Sequence, residues 1–169
     1  MSLTITTSMA DSFKKEILMG THLFKASGGN TFKMLLLLNA AAGAGTYGAS
    51  NTNVGTPGTG SPSNTNVGTD ETTDTSGNAQ YTSGGFTMAT NADPSLDTVN
   101  HVAYVTWSTN PNWGPAASIT SRGAVLYNST AGGNIVAVFD FGADKTSTTG
   151  TFTVTLPAAA YNTALLRIA

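Results

Sequence analysis

With 169 residues, 9% of them charged, and a net charge of -2, the chain is long enough for one domain with a sizeable core but carries far less charge than the roughly 25% of ordinary soluble domains. Thr, Ser, Asn and Gly supply the polar surface instead, and the few scattered Lys and Arg form no basic footprint of the kind that nucleic acid requires. The absence of cysteine excludes disulfides, thiolate chemistry and cysteine-ligated zinc.

The opening residues, Met1 to Ser8, lack the basic and apolar regions of a secretory signal, and a soluble protein is expected. A helix is expected over 8–24, with Ser8 or Asp11 as its N-cap. Met9, Phe13 and Ile17 recur at i+4 with Leu18 beside them, and Lys14, Lys15 and Glu16 take the other side, so the helix is amphipathic and docks on an apolar layer. Residues 26–30 close it. Phe32 to Leu38, within 31–39, holds the longest apolar run of the chain; it is too short to cross a bilayer and fits a strand buried on both faces.

Over 40–85 the composition changes to Gly, Thr, Ser, Asn and Pro. The heptapeptide at 50–56 recurs verbatim at 63–69, too few copies for a solenoid. The segment 40–80 reads first as a polar surface loop with a duplicated heptapeptide; the sharper reading is a projecting arm ordered by packing against a neighbouring subunit, with Asn51, Asn53, Val54, Asn64, Asn66 and Val67 as candidate contact residues. Tyr47 and Trp113 are candidate surface aromatics.

Further strands are expected over 80–88 around Gly84-Gly85, over 101–107 and over 165–168, with a turn at 91–94 and a rigid loop at 110–115. The stretch 119–156 reads as three consecutive strands of an antiparallel meander. Val125 and Tyr127 alternate in the first, Ile135 to Phe141 is apolar on both faces in the second, and Phe152, Val154 and Leu156 alternate with Thr in the third; 128–134 and 142–150 are the turns. The expected fold is mainly β: one antiparallel β-sandwich domain, jelly-roll or Ig-like, with one N-terminal amphipathic helix.

Chemical motifs are sparse. Gly43-Ala44-Gly45-Thr46-Tyr47-Gly48 matches a dinucleotide-binding pattern, but residues 49–55 after it cannot open the helix that would hold a pyrophosphate. Asp70, Glu71 and Asp74 read as a solvated acidic loop tip rather than a calcium site. His22, on the expected helix, and His101, on an expected strand, read as satisfied histidines without a nucleophile partner. Asp140 and Asp144 are too ordinary a strand-end pair to suggest glycoside hydrolysis, and Asp140 fits turn support better. Trp107, Trp113 and Tyr104 fit core or loop packing better than a sugar platform. No catalytic residue, cofactor or metal site is expected.

The run from Thr7 through Met9, Asp11, Phe13, Lys14, Lys15 and Glu16 to His22, followed after Gly28-Gly29 by Thr31-Phe32-Lys33-Met34, resembles the opening of small virion proteins of tailed bacteriophages. Ser121-Arg122-Gly123-Ala124-Val125-Leu126-Tyr127-Asn128 and the run from Ala137 to Lys145 resemble the second half of such proteins. The resemblance implies a structural, non-enzymatic role. The chain would be a capsid decoration or cement protein on the virion surface, a homotrimer binding the major capsid protein, made in the host cytoplasm and contacting neither nucleic acid nor membrane. The alternative it implies is a tail-fibre or tail-tip protein that binds host-surface glycans, for which Tyr47 and Trp113 would face solvent.

Overall fold

In the computed structural model, which describes residues 2–88 and 93–169, the chain is mainly β with one helix. In order, the elements are β1 (Thr4–Ile5), β2 (Ser8–Met9), α1 (Asp11–Leu18), β3 (Phe32–Leu37), β4 (Thr46–Tyr47), a 3-10 turn (Gly68–Asp70), β5 (Phe86–Thr87), β6 (Ser95–Asp97), β7 (Val102–Val105), β8 (Asn112–Asn128), β9 (Asn134–Thr153) and β10 (Leu166–Ile168). The main sheet has five strands in the order β2-β9-β8-β3-β5, antiparallel throughout; a second sheet, β10-β7-β6, is also antiparallel, and β1 and β4 form a small parallel pair. The expected turn at 91–94 falls partly on residues 91 and 92, which lie outside the described residues.

The apolar runs of the sequence meet in the middle of the main sheet. Leu35 pairs with Val125, and Val125 pairs in turn with Val138, so three runs that are apolar on both faces lie side by side. Leu35, Leu36, Leu37, Val125, Leu126, Val136 and Val138 are all fully buried, as strands covered on both faces must be.

The expected three-stranded meander is two long strands. Residues 142–150 do not turn, because β8 extends back to Asn112 and supplies them with partners: Ser121 faces Lys145, Thr120 faces Thr146, Ile119 faces Ser147 and Ala117 faces Gly150. Four irregularities in the β8–β9 register, the first between Trp113 and Ala117, let the ribbon twist. The expected loop at 110–115 is in consequence mostly strand, with Trp113 opposite Phe152.

The helix is shorter than the expected 8–24. Ser8 and Met9 pair with Val138 and Ala137, and the Ala10 N–H donates to the Val136 carbonyl. The open edge of β9 thus takes the residues that helical periodicity would assign to a first turn. Ala10 is the N-cap and offers no side-chain bond, so neither Ser8 nor Asp11 caps. At the other end Gly20 adopts φ +72°, its N–H donating to the Ile17 carbonyl and the Thr21 N–H to the Glu16 carbonyl. This is the Schellman arrangement, which a left-handed glycine closes at no steric cost. The chain therefore leaves the helix early and sends His22 and Phe24 into the core.

His22 is a satisfied core histidine there. One ring nitrogen lies 2.7 Å from the Glu16 carboxylate, the other 3.1 Å from the Asn128 amide nitrogen. Its ring packs on Phe13, and Phe24 stacks on Phe32 at 4.5 Å between centroids. Trp107 meets Phe32 edge-on at 5.4 Å, and one cluster of buried residues includes Val105, Trp107 and Leu166 together with the strands of the main sheet.

The segment 40–80 does not project. Tyr47, Val54 and Val67 belong to the buried core, and the loop around them is tied to the β8–β9 hairpin: the Val54 N–H donates to the Gly133 carbonyl and the Ile135 N–H to the Thr52 carbonyl. Asparagine amides satisfy its turns, which removes the need for another chain to order it.

Candidate interaction surface

Register decides which side chains of the small sheet share a face. Leu96 pairs with Ala103, and Ala103 pairs with Ile168, so these three form one rank across the sheet. Two residues along the strands, Val105 and Leu166 are paired on that same face and are buried. Opposite lies the apolar side of the N-terminal segment, Met9, Phe13 and Ile17. Between the two is a groove of about 180 Å³ that Phe24, Val105 and Leu166 also line.

The groove is not closed over. Leu96 is 65% and Ile168 56% exposed at the ends of the rank. The other exposed large hydrophobics among the described residues are Leu18 and Met19 at the end of α1, Leu23 just beyond it, Val99 in the turn after β6, and Tyr161 in the approach to β10. Leu96 and Ile168, at opposite ends of one rank on the open edges of the sheet, are the pair that register places on a common face. The outer edges of β6 and β10 have no further strand partner among the described residues, which leaves both ends of the small sheet open to pairing.

The residues that the sequence singled out lie elsewhere. Tyr47 is 1% and Trp113 4% exposed, so neither is a surface aromatic. The Tyr47 hydroxyl lies within hydrogen-bond distance of the Val67 carbonyl and of Asp70, and burial, then the Asp70 charge, pushes its pKa far up. Trp113 is enclosed by Tyr81, Phe86 and Phe152. Both belong instead to the cluster of buried residues that includes the strands of the main sheet.

Of the arm residues, Val54 and Val67 are core. Asn51 is buried and accepts from the Gly48 N–H at 2.7 Å; Asn53 donates to the Gly132 carbonyl at 3.0 Å; Asn66 accepts from the Thr56 N–H and donates to the Ser61 carbonyl. Asn64 is exposed, and its carbonyl accepts from the Thr52 N–H. Repeated sequence thus does different work in each copy: Asn53 reaches the main hairpin, whereas Asn66 holds its own loop.

The acidic group at 70–74 is not a solvated tip. Asp70 and Glu71 are buried, and Asp70 accepts from the Ala44 and Gly45 N–H groups at 3.0 and 2.7 Å. Asp74 accepts from the Ser118, Ser76 and Gln80 N–H groups, and these bonds, that of Ser118 first, hold its carboxyl far below the usual range. Asp140 is paired with Arg122 at 2.8 Å and lowered by it; Asp144 accepts from the Ala40 N–H at 3.0 Å. His101 sits exposed in the turn before β7 at φ +56°, not on a strand. No three metal-ligating side chains come together among the described residues.

The open rank was the site that sequence reasoning missed. Its only signal was the short apolar-polar alternation in Ser95-Leu96-Asp97 and in Leu166-Arg167-Ile168. No family model, curated protein or solved structure matches this chain.

Proposed function

We propose that the chain is a non-enzymatic structural protein of a tailed-phage particle, an oligomeric capsid decoration protein whose copies meet through the open edges of the small sheet. The observation that carries this reading is that the two open edges of the small sheet carry exposed large hydrophobics, Leu96 on β6 and Ile168 on β10. The occupant it points to is a second copy. The small sheet has two open edges, β6 and β10, in one chain, and an edge of one copy laid beside the complementary edge of the next continues the rank Leu96, Ala103, Ile168 across the boundary. A contact made by two different patches is heterologous and closes a ring when the rotation allows, which a trimer satisfies. The major capsid protein is the second partner in this reading, and the long exposed end of the β8–β9 ribbon is the part free to reach it.

The same reading takes the main and small sheets as the two layers of a β-sandwich, with Phe24, Phe32 and Trp107 between them; the shared core supports it. Non-enzymatic use agrees with the carboxylates: Asp70, Glu71, Asp74, Asp97 and Asp140 are each engaged by backbone or side-chain donors, an arrangement that supports structure. The glycan-binding tail reading loses its aromatic pair, since Tyr47 and Trp113 are buried.

A cryo-electron map of particles carrying the protein tests the assignment. Copies arrayed over the icosahedral shell, touching one another through the small sheet, are the expected result. Density confined to the tail, or absence from the particle, overturns it.

A further inference from the structure

The His22 ring and Asn128 meet in a place closed to solvent. The His22 side chain and Asn128 are both 0% exposed, and the ring Nδ1 lies 3.1 Å from the Asn128 amide nitrogen. Backbone groups fix which way round that amide sits. The Ala131 N–H donates to Asn128 Oδ1 at 3.1 Å, while the Thr21 carbonyl at 3.5 Å and the Asn30 Oδ1 at 2.9 Å face Asn128 Nδ2. Asn30 Oδ1 is itself held as an acceptor by the Leu23 N–H at 2.8 Å. Turning the Asn128 amide over would set its NH2 against the Ala131 N–H and its oxygen against two acceptors, so it stays as it is.

This leaves the ring one way to carry its proton. An amide nitrogen donates and does not accept, so Nδ1 is the acceptor of an Asn128 N–H. The proton is on Nε2, which donates to the Glu16 carboxylate at 2.7 Å. His22 thereby joins α1, through Glu16, to the β8–β9 turn, through Asn128.

We propose that His22 is an acid-operated latch between α1 and the β8–β9 turn: with one proton, on Nε2, the latch is closed, and a second proton, on Nδ1, opens it. An Nδ1–H would meet the Asn128 NH2 donor to donor. Relief comes from turning the Asn128 amide over, which strands the Ala131 N–H, or from withdrawing the ring, which breaks the bond to Glu16. The titratable group facing the ring is Glu16 on α1; Phe13 on the same helix, Phe24 beyond it, Phe32 on β3 and Asn128 on β8 bring no charge. The Glu16 carboxylate attracts the second proton but is already bonded at Nε2, so it gives an Nδ1–H no partner.

Isotope-labelled histidine reads the latch without a change at the site. The chain has two histidines. His101 is exposed at φ +56°, a conformation that asparagine tolerates, so His101→Asn leaves the His22 ring as the sole signal. Long-range nitrogen–proton spectra near neutral pH should show a ring protonated on Nε2 alone. A ring protonated on Nδ1, or on both nitrogens, overturns the proposal. The pH is then lowered while the ring and the backbone amides are followed together. Entry of the second proton should speed hydrogen exchange about tenfold or more, the equivalent of one lost hydrogen bond, at Ala131 if the Asn128 amide turns over or along α1 if the ring withdraws. Unfolding of the whole chain at that same step also counts as release. A doubly protonated ring in a protein whose Ala131 and α1 amides stay as protected as before would show that Asn128 does not lock the ring, and the latch fails.

Discussion

Deleting residues 50–69 will abolish cooperative folding rather than shorten a surface loop. The segment carries Val54 and Val67, both buried in the core, and each buried valine is worth about 1.5–3 kcal/mol. It also supplies backbone partners to the β8–β9 hairpin, through Thr52 to Ile135 and Val54 to Gly133, and accepts the Tyr47 hydroxyl at Val67. Each of these bonds is worth about 1 kcal/mol net, and each leaves a buried group unpaired when its partner goes. The sum consumes most of a typical stability of about 5–15 kcal/mol. The deletion protein should show no cooperative thermal transition by circular dichroism. A soluble deletion protein that melts cooperatively near the wild-type temperature would mean that the segment is detachable after all, as its composition suggests.

Gly85→Ala will be the most damaging single methyl group that can be added to the segment 71–85. Gly85 adopts φ +76°, and a Cβ there would run into the Met34 carbonyl and the Leu35 backbone. Those atoms belong to β3, which is paired on both sides and fully buried at Leu35 to Leu37, so they cannot retreat. A loss of about 3–5 kcal/mol is expected, combining left-handed strain of about 1 kcal/mol with the displacement of a central strand. Gly77→Ala is the control: φ is +78°, with nothing within 4 Å of the added Cβ, so only the strain remains. Denaturant unfolding of the two variants separates the terms. Equal losses at both positions would show that Gly85 does not press on β3.

The parts of the fold legible in the sequence were those whose burial leaves no choice. Five apolar residues from Met34 to Leu38, and the run from Ile135 to Val138, have to lie inside whatever surrounds them, and they flank β8 on either side in the main sheet. The strands expected at 101–107 and 165–168 also form, as β7 and β10. Local signals failed where a distant partner decided the outcome. Met9 fits the helical spacing with Phe13, yet the open edge of β9 claims it. Gly142 and Gly150 bracket a turn-like composition, yet Ala117 to Ser121 pair with the residues between and hold them extended.

Polarity misled in a second way. Asp70 and Glu71 read as solvent-facing because their donors, the N–H groups of Ala44, Gly45 and Gly84, lie outside any local window. One tyrosine and two valines were enough to fold a Gly/Ser/Thr/Asn segment onto the sheet, and a tally of residue types hides three residues. The open rank on the small sheet was invisible for a related reason: Leu96 and Ile168 are remote in sequence and become neighbours only through the pairing of β6, β7 and β10.

Sedimentation velocity on the purified wild-type protein and on a Leu96→Asp/Ile168→Asp variant tests the central claim of self-association most directly. The wild type should sediment as a discrete oligomer, a closed ring of three copies. The variant should sediment as a monomer with an unchanged far-ultraviolet spectrum, because both positions are exposed within one chain and a charge there disturbs only what covers them. A wild type that stays monomeric at every concentration, or a variant that associates as the wild type does, would contradict the account.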